Sequence, residues 1–126
     1  VVTQNGQKKF IIYSMGNFIS NQRIETMDGV ENKKWTERGV LMDVTVEKSK
    51  KETIIKDVQA HPSWVSRVAK GTYSPEGYPL YTYQTYILED FIEGGKYRDK
   101  LDQATKERID TAYQEMNEHV NLKWDE

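Results

Sequence analysis

The chain has 126 residues, enough for one domain with its own core and too few for two comfortable ones. A formal charge of -2 and a pI near 5.8 argue against a nucleic-acid partner, which needs a basic surface. Charged residues at 30% with 11% aromatics give a polar globular composition rather than a disordered one. Cysteine is absent, which removes disulfides, thiol nucleophiles and thiolate metal sites together and suits either the cytoplasm or export. No apolar run approaches the length of a bilayer span. No signal peptide is visible, and the start at Val1 rather than Met reads as a cut boundary.

In chain order, residues 1–8 read as a partial strand ending in a turn at Asn5-Gly6. Residues 10–13 are apolar throughout and predict a fully buried strand. That run stops at Ser14, and the Gly16-Asn17 pair that follows tolerates positive φ, so a sharp corner is expected at the strand's end. Residues 20–38 turn polar and read as a long loop. Val40, Met42, Val44 and Val46 then alternate with Leu41, Asp43, Thr45 and Glu47, the pattern of a half-buried strand over 39–47. A charged turn at 48–51 and a second alternating stretch over 52–60 complete an antiparallel hairpin, which Pro62 is expected to end.

Trp64 to Val68 can resume extended structure, and residues 71–79, with two Gly and two Pro, read as loop. The run 81–88 is rich in β-formers and predicts a further strand. Residues 89–93 suit one helical turn closed by Gly94-Gly95. A helix is expected over 99–121, N-capped by Asp99, with Leu101, Ala104, Ile109, Ala112, Tyr113, Met116 and Val120 on one stripe.

Few residues carry chemistry. His61 and His119 are the only histidines, and no His-x-His or His-x-x-x-His spacing exists, so a metal site within this chain is not expected. Gly94-Gly95 follows a helical turn, the wrong order for a phosphate loop. Ser14 lacks the Gly-x-Ser-x-Gly elbow of a serine hydrolase. Tyr73, Tyr78, Tyr81, Tyr83 and Tyr86 can line a sugar or peptide groove, Tyr81 and Tyr83 foremost, or can simply shield a neighbouring sheet.

The run Tyr13-Ser14-Met15-Gly16-Asn17-Phe18 resembles the Tyr-Ser-Leu-Gly-Asn-Phe signature of CapA/PgsA-type poly-γ-glutamate capsule synthesis proteins. The likeness continues through Asn5-Gly6 and the apolar run before it, Gly39-Val40-Leu41-Met42-Asp43-Val44-Thr45 after it, and Pro62-Ser63-Trp64-Val65. It covers roughly residues 1–70, with Met15 where Leu is usual. The resemblance implies part of an αββα sandwich of the calcineurin-like metallophosphatase type. The fold class expected here is therefore α+β, mainly antiparallel sheet with a long C-terminal helix. Residues 1–70 would belong to the metallophosphatase-type domain, and 71–126 would add the Tyr-rich strand and the helix packed on it.

That family's metal ligands lie upstream of the signature, so none falls on this chain, which would be a non-catalytic C-terminal portion whose parent can bind a divalent metal. Ser14, Gly16, Asn17 and Phe18 become near-site candidates, with Asn17 placed to brace a neighbouring metal loop. The resemblance also implies a parent anchored on the outer face of a Gram-positive membrane. Its partners would be its own upstream half and the poly-γ-glutamate synthase components. The competing reading is a free-standing cell-surface module that binds polyglutamate or glycan through Tyr81 and Tyr83. A fragment separated from half of a sandwich is expected to expose an apolar face and to form a homodimer.

Overall fold

A computed structural model describes residues 1–120. The protein is α+β and mainly antiparallel sheet: β1 (Val2–Gln4) and β2 (Gln7–Lys9) form a small hairpin, and β3 (Arg38–Lys48), β4 (Thr53–Tyr73) and β5 (Pro79–Ile87) form a meander of order β3-β4-β5. Among the described residues one α-helix, α1 (Gln103–His119), follows. The Asn5-Gly6 turn takes left-handed angles at both residues, φ 51° and 73°, as a two-residue hairpin of this hand requires.

The β3–β4 hairpin forms where its alternation places it, with Lys48 opposite Thr53 and Val40 opposite Pro62. Burial follows the alternation only near the helix: Val40 and Met42 are half-buried, whereas Val44 and Val46 are exposed. Pro62 does not end the second strand, and β4 runs on through it for 21 residues. Val40 donates its N–H to Met15 O at 2.8 Å, away from β4, which makes Val40–Pro62 a pair without ladder bonds. The missing donor of Pro62 therefore points to the other side of β4, where β5 has already ended at Ile87 opposite Ser63.

Two further boundaries move. β4 and β5 extend into the expected loop at 71–79, leaving a turn closed by the Ser74 N–H on Tyr78 O at 2.8 Å. Asp99 lies in a single 3₁₀ turn (Arg98–Lys100), and α1 is capped by Asp102, which accepts the Thr105 N–H at 2.7 Å. Leu101 is extended and packs against the core, so the chain cannot be helical through it. The expected helix end at 121 lies outside the described residues.

The core lies between the helix and one sheet face. Trp64 stacks on Tyr86 at 5.6 Å, Phe91 meets Tyr86 edge-on at 4.8 Å, and Leu88, Ile109, Ala112 and Met116 fill the space between. Full burial of a side chain the size of Leu88, Ile109 or Met116 stabilises the fold by about 1.5–3 kcal/mol.

The expected buried strand at 10–13 is absent. These residues form no strand, and Ile11, Ile12 and Tyr13 are exposed, Tyr13 at 99%. Apolar composition measures what burial would gain; burial itself requires a covering surface, and the described residues half-bury only Phe10.

Candidate functional site

The Ser14–Phe18 corner is built from backbone. Gly16 sits at φ 70° and forms an isolated antiparallel bridge with Gly39, flanked by the Asn17 N–H on Arg38 O at 3.0 Å and the Val40 N–H on Met15 O. A Cβ on Gly16 would strike the Arg38 carbonyl, and one on Gly39 would strike the Asn17 carbonyl. The close approach thus requires glycine on both sides. The Asn17 side-chain amide donates to Thr36 O, and Ser14 Oγ accepts the Gly16 N–H at 3.2 Å. Asn17 itself keeps negative φ, so Gly16 supplies the unusual angle and Asn17 the amide.

From the corner the chain crosses the sheet face opposite the helix. Phe18 O accepts the Thr85 hydroxyl, and the Arg23 guanidinium donates to Val65 O at 3.1 Å. Asn21 Oδ1 accepts both Tyr83 OH at 2.8 Å and Arg67 Nη1 at 3.0 Å, while the Arg67 guanidinium lies 4.3 Å from the Tyr81 ring centroid. The structure thereby brings the two groups of sequence candidates onto one surface: Gly16, Asn17 and Phe18 at one side, Tyr81 and Tyr83 at the other. Met15, Phe18, Leu41 and Ser63 help to line a groove of about 330 Å³ beside the corner.

A buried ionic cluster where residues 23–38 meet the helix is invisible to periodicity. Glu37 is fully buried; its Oε1 accepts the Ile24 N–H at 2.9 Å, and its Oε2 accepts Trp64 Nε1–H and Arg108 Nη2, both at 2.8 Å. Arg108 also pairs with Glu25 at 2.6 Å, and Arg38 with Glu115 at 2.8 Å. Burial pushes the Glu25 and Glu115 carboxyls up, yet the hydrogen bonds and positive charges around them, led by Arg108 at Glu25 and by Arg38 and Lys34 at Glu115, together outweigh it and hold both below the usual glutamate range. Burial lowers the Arg23 guanidinium. Both oxygens of Glu37 are occupied, and the cluster orders residues 23–38 against α1. One sequence signal could have found part of it: Arg108 and Glu115, seven residues apart, border the apolar stripe of the helix.

The histidines are separate. His61 Nδ1 lies 2.7 Å from Glu89 Oε2, and His119 packs edge-on against Trp35 at 4.4 Å. Neither belongs to a ligand set, and among the described residues no group of three or more His, Cys, Asp or Glu is placed to hold a metal. Among the described residues no helix is long and apolar enough to cross a membrane. Comparisons with protein-family models, curated proteins and solved structures return no match to this chain.

Proposed function

We propose that this chain is the non-catalytic C-terminal portion of a CapA-like protein that serves poly-γ-glutamate capsule synthesis or export at the outer face of the membrane. Any divalent metal of the parent would be held by residues upstream. The observation that carries the proposal is the exposed strap: Ile11, Ile12, Tyr13, Met15, Phe18 and Ile19 all face solvent around a backbone corner held rigidly by Gly16 and Gly39. A row of large apolar residues on a fixed scaffold is a surface made to be covered. The upstream half of the same protein is the cover that the signature motif suggests, with Asn17 bracing the junction through Thr36.

The test is co-expression of this chain with its upstream segment. Amides of residues 11–19 should gain protection from hydrogen exchange on association. Phe18→Asp should abolish association and, in the parent, capsule production. Unchanged exchange at residues 11–19 would sink the proposal.

A second reading, a surface module for polyglutamate or glycan, has the Arg67–Tyr81 stack in its favour. Against it, Asn21 already occupies both Arg67 and Tyr83. Polyglutamate binding that weakens with salt and vanishes in Arg67→Ala would favour this reading.

A further inference from the structure

β4 has neighbours on both sides only at Ser63 and Trp64, so the sheet leaves edges on β3, on each half of β4 and on β5. Three of these carry features that keep edges single. β3 is bridged by Gly16 and bears Asp43, Glu47 and Lys48. The two halves of β4 bear Lys56 and Asp57, and Arg67 and Lys70. β5 has no such protection. No residue from Gly77 to Leu88 is charged, the strand keeps unbroken register from Tyr81 to Ile87, and its one blocking residue, Pro79, stands at the very start.

The direction of its backbone groups follows from Val40. Because Val40–Pro62 lacks ladder bonds, Trp64, Ser66 and Val68 turn theirs toward β5, and their partners Tyr86, Gln84 and Thr82 turn inward to meet them. Tyr81, Tyr83 and Thr85 are left with N–H and C=O facing outward.

We infer that β5 pairs with β5 of a second copy of this chain, antiparallel and centred on Tyr83, joining two three-stranded sheets into one continuous sheet. The strand is self-complementary in this register. Tyr83 meets its own copy, Tyr81 meets Thr85 in an aromatic–β-branched pair, and no like charges come opposite. Leu80, 40% exposed, comes opposite Tyr86 of the other copy, at the rim of its core. Main-chain bonds supply the affinity and the alternate side chains the register. The pairing uses the outward main-chain groups of β5, whereas the strap meets β5 only through the Thr85 and Tyr83 side chains on the sheet face, so loss of one association leaves the other measurable.

Thr82 and Gln84 face each other across the twofold axis and are exposed, which gives a charge-swap test. Sedimentation equilibrium of the chain over a dilution series should give a species of twice 14.8 kDa. T82K/Q84K and T82E/Q84E should each sediment as folded monomers, with wild-type circular dichroism, and their mixture should recover the dimer. Phe18→Asp should leave this dimer intact. A wild-type monomer throughout, a dimer indifferent to both double variants, or a mixture that stays monomeric would overturn the inference.

Discussion

Glu37 decides whether residues 23–38 form a loop at all. Its carboxylate satisfies a backbone N–H from Ile24, the indole of Trp64 and the guanidinium of Arg108 in one place. Removing it leaves the Ile24 N–H and the buried Trp64 indole N–H without their acceptor, at a combined cost of about 2–6 kcal/mol, while Arg108 keeps its pair with Glu25. Glu37→Leu should therefore lower stability by about that amount, read from the urea midpoint. Gly16 is the second sensitive residue. Gly16→Ala adds a Cβ at positive φ against the Arg38 carbonyl and should cost about 1–3 kcal/mol. Asn17→Gly keeps the corner and loses only the bond to Thr36, for about 1 kcal/mol. A parent protein carrying Asn17→Gly with full capsule production would restrict Asn17 to that structural bond.

The elements differ in how openly their sequence declares them. The β3–β4 hairpin was legible because period-two alternation, a charged turn and strand length agree, and the Tyr-rich β5 because β-formers fill it. The helix was legible from its stripe, but its start was not. Asp99 and Asp102 both offer a cap, and only the burial of Leu101 chooses between them. Asp102→Ala should thus cost about 1 kcal/mol, while Asp99→Ala should stay within about 0.5 kcal/mol. Thermal melts of the two variants decide the point. The run at 10–13 misled because an apolar run shows a preference and the cover has to come from elsewhere. The ionic cluster stayed hidden because Arg23, Glu37 and Arg38 sit in a segment without periodicity, where charge ordinarily means solvent. Of the candidate site, the Gly16-Asn17 corner was legible as a turn; its meeting with Tyr83 through Asn21 depends on how the chain crosses the sheet.

For the whole molecule, the acid response follows from Glu25 and Glu115. Both carboxyls are held below the ordinary glutamate value by arginine partners. Stability from these pairs is fully present above about pH 4.3 and is lost as pH falls through the depressed values of the folded state. The melting temperature should hold steady from pH 7 to 5 and fall below about pH 4.3, and Glu115→Gln should flatten that fall. An unchanged slope in the variant would remove Glu115 from the account. The offset of β4 has a mechanical consequence. With three strands abreast only at Ser63 and Trp64, the sheet is two ribbons spliced at a joint two residues long. A two-stranded ribbon alone is marginal in water, whereas the joint is clamped by Gly39 on one side, Ile87 on the other and the Trp64 ring beneath. Both ribbons are therefore anchored through one residue, since Trp64 pairs with each of them and its ring stacks on Tyr86 in the core under the helix.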